Sequence, residues 1–367
     1  MLNQVAEAID HYNYKKADYL LQEWKKQEID NPWIDFYEAR LAEVTGKYDL
    51  AHQKYRDLLQ QTSNHKLIAQ IRQGIDRLTE IEAQLHEKVK EKHLKALAQA
   101  KLEPGSQEAG ILILEPIPTE EKKQAAQQFA QVMEIDPYTA RLQLPSRAWR
   151  LYRTGTIGEL GVFVETLKAV NIPCFCATVK DIQNVKVYQI DYFKEVFPIA
   201  IVVCHLSQSK PVIFKFDWSE LSQRVEGMLP IFEECVEMGL RGKIERKTKT
   251  LDYVQVCDLH LKERNMILRL CDQTYKFNQE TAVIDKQTLD ETTISRDHWN
   301  HLMSYFKKQF PHHPVYDEFT PFAETALDFP ETLKLIQPHL DLLRREDTFW
   351  DQVFHLYSSL ALIKEKS

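Results

Sequence analysis

Apolar positions along the chain change their period several times, and each change marks an element. From His65 to Lys101 there is no proline and one glycine, Gly74. Leu67, Ile71, Ile75, Leu78, Ile81, Leu85 and Val89 recur at three- and four-residue steps, which predicts one long amphipathic helix. Its second half, Glu87-Lys88-Val89-Lys90-Glu91-Lys92, is charged and reads as a solvated helix or a rigid spacer. The break Leu102-Glu103-Pro104-Gly105-Ser106 follows. Gly110 to Leu114 is a continuous apolar run, the pattern of a buried strand, and Pro116 and Pro118 end it. Thr119 starts a helix from Glu120 to about Glu134, and Asp136-Pro137 starts another that Pro145 stops. A strand from Trp149 to Arg153, a turn at Thr154-Gly155, a helix from Ile157 to Val170 and a strand from Cys174 to Val179 complete this part.

From Asn184 the period moves towards two. Val185 to Ile190, Ile199 to Cys204 and Val212 to Phe216 read as strands. Asp217-Trp218-Ser219-Glu220 has the form of a capping box, so a helix is expected there, interrupted by Pro230 and resumed over Ile231 to Met238. Gly242 to Lys247, Tyr253 to Leu261, Met266 to Cys271 and Tyr275 to Phe277 read as antiparallel strands. Ser295 to Phe310 is a helix with Trp299, Leu302, Met303 and Phe306 on one side. Pro321 to Pro330 reads as a loop or a short turn, and helices are expected near Glu331 to Leu343 and Thr348 to Ile363. The fold class is therefore α+β and multidomain. The expected domains are a helical one over 1–101, a small α/β module over 109–180, a β-rich domain over 181–290, and helices over 291–367 packed on it.

The N-terminal segment carries an internal repeat. Ala17 and Ala51 stand 34 positions apart, and Tyr14 pairs with Tyr48 and Leu21 with Tyr55 at the same spacing. Gly46 marks a turn in the second copy, where the first has Tyr12-Asn13, and Asn31-Pro32-Trp33 separates the copies. The segment resembles the tetratricopeptide-repeat (TPR) family, whose 34-residue unit is a helix-turn-helix. That resemblance implies peptide or protein binding. Two units are fewer than the roughly three such a stack needs, so the long helix is expected to cap them. The whole chain also looks like TPR-containing proteins common in cyanobacteria, which often serve the assembly or regulation of photosynthetic complexes. The order strand, helix, helix, strand, helix, strand over Ala125 to Val179 and the strand before it resembles the C-terminal domain of the bacterial ribosomal stalk protein. Ile135-Asp136-Pro137-Tyr138-Thr139-Ala140-Arg141 takes the place of that domain's helix junction. The stalk's glycine- and lysine-rich signature is missing, so only an exposed two-helix face suited to binding protein carries over.

Composition narrows the partners. Hydrophobic residues at 44% allow a core in every segment. A net charge of −7 disfavours global attraction to nucleic acid or an anionic membrane, though local basic patches remain open. Six scattered cysteines suit a reducing, cytoplasmic setting. The chain opens straight into amphipathic helix, so no secretory signal is expected. Its longest apolar stretch, Phe197 to Leu206, is too short to span a bilayer.

Two basic runs are the candidate binding residues. Arg141, Arg147, Arg150 and Arg153 are interleaved with Trp149 and Tyr152. Guanidinium forks beside aromatics suit phosphate, carboxylate or base recognition, or else pair with local acids around a core. Arg241, Lys243, Arg246, Lys247 and Lys249 sit on an expected hairpin, as edge protection or as a site for an acidic or phosphorylated partner. No catalytic constellation is read: there is no phosphate-binding glycine loop, nucleophile elbow or paired-histidine helix. Cys174, Cys176, Cys204 and His205 lack zinc-site spacing, so no metal or cofactor is expected. Asp258 and His260 share a strand face and read as a structural pair, and His312-His313 as an exposed turn. The sequence thus predicts a non-enzymatic cytoplasmic scaffold or adaptor for other proteins. A receptor for a phosphorylated small ligand and an RNA-associated factor are the alternatives.

Overall fold

The computed structural model describes residues 1–28, 30–206, 209–238, 244–279, 295–340, 342 and 348–364, without the side chains of 86, 89, 93, 235–238 and 244–247. The architecture is α+β, and the chain forms two compact units, Met1–Ala96 and Leu97–Ser367.

The first unit is built of α1 (Leu2–Asp10), α2 (Tyr14–Gln27), α3 (Pro32–Val44), α4 (Tyr48–Gln61) and most of α5 (His65–Ala100). The 34-residue spacing extends to the backbone. Asn13 N–H bonds the Ala8 carbonyl and Lys47 N–H the Ala42 carbonyl, each through a left-handed residue just before it, Tyr12 (φ 57°) and Gly46 (φ 78°). Glycine adopts this conformation freely and tyrosine does not, which is why the turn is plain in one copy and disguised in the other. Ala17, Ala51, Leu21 and Tyr55 are all buried. In α5, Leu67, Ile71 and Leu78 are fully buried whereas Leu85 and Leu94 are exposed, so the apolar stripe packs only along its first half.

The second unit has two sheets with helices between and around them. The smaller comprises β1 (Ala109–Leu114), β2 (Arg150–Thr156) and β3 (Cys174–Thr178), antiparallel in the order β2-β1-β3. α6 (Lys122–Met133), α7 (Pro137–Gln143) and α8 (Ile157–Ala169) cover one face of it. Leu112 and Leu114 pack towards these helices and Ile111 and Ile113 away from them, which explains an apolar run without alternation: both faces are covered. The expected turn at Thr154-Gly155 is instead strand, because Gly155 pairs across from Gly110 and both lie under Leu160.

The larger sheet runs β10-β7-β8-β9-β4-β5-β6. A short α9 (Val179–Gln183) leads into β4 (Lys186–Glu195), β5 (Ala200–His205) and β6 (Val212–Phe216), and then β7 (Gln223–Met238), β8 (Ile244–Leu261) and β9 (Met266–Cys271). α10 (Ser295–Gln309) covers one face with Trp299, Leu302 and Phe306. After β10 (Val315–Tyr316), α11 (Phe319–Ala326), α12 (Pro330–Leu333) and α13 (Trp350–Lys364) lie on the opposite face. That layer forms one core with Ile111, Ile113 and Leu151 of the small sheet and Val225, Leu229, Val254 and Val256 of the large one. The expected boundaries near 180 and 290 are thus bridged by a single core.

Four further elements differ from expectation. The capping box at Asp217 and Glu220 is present, but it starts only one 3-10 turn, and the chain then runs as strand through Pro230. Beyond Val225 the outer side of β7 has no partner strand among the described residues, so a residue without an N–H is tolerated there. Tyr275 to Phe277 is loop, with the Tyr275 hydroxyl accepting from Phe193 N–H. Pro321 stands in the first turn of α11, where its missing N–H costs nothing. Of the helix expected over Glu331 to Leu343, the described residues show one turn, and further on the Pro338 and His339 carbonyls accept from Arg269.

Candidate functional site

The arginine cluster resolves into three different environments. α7 is capped by Asp136, which accepts from Tyr138 and Thr139 N–H at 3.0 Å, and it ends at Leu144. Arg150 donates to the Leu142 carbonyl in the last turn of α7 (3.3 Å). Lys122, the first residue of α6, donates to the Ser146 hydroxyl at 2.8 Å. These two bonds bring Lys122 and Arg150 to the same end of α7, beside the exposed Arg141. Partial burial, then the charges of Arg141 and Arg150, lower the Lys122 pKa, so the three cations sense one another. No carboxylate pairs with any of the three among the described residues. On the same face of α7, Tyr138 and Leu142 are 73% and 62% exposed.

The other predicted residues lie elsewhere. Arg147 lines a pocket of about 160 Å³ with Asp317, Glu318 and Tyr357. Arg153 stacks over the Phe163 ring at 4.6 Å. Tyr152 packs edge-on against Phe129. A register shift opposite Leu112 and Ile113 breaks the strand alternation and lets both side chains meet helices of one face. Trp149 is a core residue, touching Phe175, Tyr316 and Tyr357. In the second basic run, Arg241 and Lys243 lie outside the described residues, as do the side chains of Arg246 and Lys247, while Lys249 is exposed on β8. Lys122 and Ser146 were not legible as site residues, since 24 positions separate them and no periodicity links them.

The strongest resemblance to catalytic machinery is a buried polar row between the large sheet and α13. Asp258 accepts two bonds from Arg269 (2.8 and 2.7 Å) and one from the Ser358 hydroxyl (2.5 Å). His260 lies 2.9 Å from Ser358 Oγ through Nε2, and 2.8 Å from Gln223 Nε2 through Nδ1. Gln223 donating to Nδ1 leaves the proton on Nε2, directed at Ser358, which in turn donates to Asp258. Asp258 and His260 are therefore linked through a serine rather than directly. Burial, with the Arg269 charge adding to it and Asp258 opposing, lowers the His260 pKa to about 4. Asp258, His260, Arg269, Gln223 and Ser358 are each 0% exposed, so this row holds α13 on the sheet and offers no substrate access. Cys174 and Cys176 stand on β3 of one sheet and Cys204 on β5 of the other. Beside Gly227 a pocket of about 240 Å³ is lined by Glu226, Asp317, Trp299 and Phe319, with Glu226 already engaged by Arg224.

No family model, curated protein or solved structure matches this chain. Among the described residues no helix is long and apolar enough to cross a membrane.

Proposed function

We propose that this chain is a non-enzymatic scaffold or adaptor that binds partner proteins through its TPR-like N-terminal helices and the α6–α7 face. One observation carries the reading. Two helical hairpins repeat the same turn bonds and buried positions 34 residues apart, which is the build of a protein-binding repeat. Their surface keeps Tyr12, Tyr19 and Leu50 exposed, apolar area of the kind that partner recognition uses. The buried row supports the same side, because His260, Ser358 and Asp258 are bonded to one another away from the surface. The cytoplasm is the proposed location, and the cyanobacterial resemblance makes assembly of photosynthetic complexes the proposed setting.

The test is in-cell cross-linking of the tagged full chain, followed by mass spectrometry. A Tyr19→Ser/Leu50→Ser double variant serves as comparison. Defined partners should cross-link to residues 1–61 and be depleted in the variant, with an unchanged circular dichroism spectrum. Partners that never cross-link to this segment and persist in the variant would remove the basis for the reading.

A further inference from the structure

Lys122, Arg141 and Arg150 gather at one end of α7 without a paired carboxylate among the described residues. Like charges drawn together repel one another, and here no carboxylate relieves them among the described residues. Two of the three are nevertheless held by specific bonds, Lys122 to Ser146 and Arg150 to Leu142, beside the exposed Arg141. Lys122 spends one of its three donors on Ser146, and Arg150 one of its five on the carbonyl. The remaining donors, and the guanidinium of Arg141, are left for a group that is not part of the fold. Attraction of cations to the C-terminal end of α7 accounts for the placing of Arg141, in its last turn, and of Arg150, but leaves Lys122 over and uses none of the guanidinium donors of Arg141.

We propose that this face binds a phosphorylated serine or threonine on an extended segment of a partner protein. The inference rests on the scaffold reading and names the chemistry of its partner. Charge selects the ligand. Three cations oppose a phosphomonoester of roughly −1.5 to −2 with three acceptor oxygens, whereas one carboxylate would leave about two of them uncompensated. Tyr138, Arg141 and Leu142 occupy positions i, i+3 and i+4 of α7 and so share one side of that helix. Apolar residues flanking the phosphate would cover Tyr138 and Leu142, which a free phosphate ion would not.

The experiment uses the full chain and two immobilised peptide pools, degenerate sequences centred on phosphoserine or on serine. The phosphorylated pool should be retained at least about tenfold better, and inorganic phosphate should compete. Arg141→Gln should lower that retention about tenfold with an unchanged melting temperature, since the side chain is exposed. Arg141→Lys should restore part of it. Tyr138→Ser/Leu142→Ser should weaken peptide retention yet leave inorganic phosphate binding, read by 31P line broadening, as it was. Equal retention of the two pools, or indifference to Arg141→Gln, overturns the proposal. So does Arg141-dependent binding of inorganic phosphate without preference for the phosphorylated pool, which would assign the face to a small phosphate compound. Partners that persist after phosphatase treatment but vanish in the Tyr19→Ser/Leu50→Ser variant would reject this inference and leave the scaffold reading standing.

Discussion

His260 sits at the centre of the polar row, and its titration sets how the second unit responds to acid. An unfolded histidine titrates near 6.5, and burial holds this one at about 4. The folded state therefore keeps it neutral where the unfolded chain already binds a proton. Its contribution is fully present above about pH 6.5 and is lost as pH falls towards 4, on the order of 3 kcal/mol in all. His355 and His339 are lowered for the same first reason, burial, and act with the same sign. Urea unfolding at pH 7 and pH 5 should show lower stability at pH 5, and His260→Gln should flatten that difference by close to one proton. An unchanged slope in the variant would mean that His260 is not the titrating group. Gly74 is a second residue whose identity is dictated by a neighbour. A Cβ there would stand 2.6 Å from Tyr55 Cζ, and Tyr55 cannot retreat because its hydroxyl donates to Glu43 at 2.8 Å. Glu43 is itself gripped by Arg77 and Arg40, and although burial would raise its pKa, these bonds and charges hold it low. Helix propensity favours Gly74→Ala by about 1 kcal/mol, while overpacking costs roughly 1–3 kcal/mol. Net destabilisation is expected in thermal melts, and it should vanish when Tyr55 is already replaced by leucine, the residue found at the matching position 21.

At the scale of elements, the turn between α1 and α2 repeats the one between α3 and α4 with the wrong residue in it. Tyr12 holds φ 57° where Gly46 holds 78°. A side chain in this conformation costs roughly 1 kcal/mol, and the Tyr12 ring is 80% exposed, so little packing compensates. Tyr12→Gly should raise the unfolding free energy of the first unit by about 0.5–1 kcal/mol, and Gly46→Ala should lower it by a similar amount. Equal and opposite failures would show that the two turns are not equivalent. Such elements were legible in the sequence wherever the code is local. The cap at Asp136-Pro137, the stripe of α5 and the continuous run of β1 all follow from residue type and spacing within a few positions. Proline misled at Pro230 and Pro321 because its cost depends on whether its N–H had a partner, and that is a property of the sheet edge or the first helical turn. Val225, Leu229 and Ile231 also fall at even spacing, but the capping box at Asp217 and Glu220 outweighs that signal and the stretch reads as helix. Of the candidate site, Arg141 and Arg150 were visible as a cluster. Lys122 was not, since only the fold brings α6 to the end of α7. Arg147 and Arg153 share the sequence cluster but not its geometry.

At the scale of the whole molecule, the consequential feature is the shared core of the second unit. α13 buries every residue from Val353 to Leu362, which is the behaviour of a helix covered all round rather than one laid on a surface. Tyr357 meets Trp149 just before β2, while Phe354 lies over Arg269 of β9 and meets Phe319 of α11. Lys364 pairs with Glu115 just after β1 and lies over the Trp149 ring. The sequence placed these helices on the β-rich sheet alone, since nothing local in them shows that a second sheet covers their other side. Parallel pairing of β4 with β9 and of β10 with β7 is equally non-local. If the core is one cooperative body, damage to α13 must be felt in both sheets at once. Phe354→Ala removes a fully buried ring, for a cost of about 3–5 kcal/mol. Hydrogen exchange followed by mass spectrometry should then show faster exchange in β1 and β2 together with β7 and β8, by a common factor. Had the sheets been separate domains, exchange in β7 and β8 would rise while β1 kept its protection. The common factor has a bearing on function as well, because α6 and α7 rest on β1. Under the proposed scaffold reading, the α6–α7 face rests through a separate core of Leu112, Leu114 and Phe129 on the same β1 whose far side joins the large sheet, so loosening of β1 should reach that face as well.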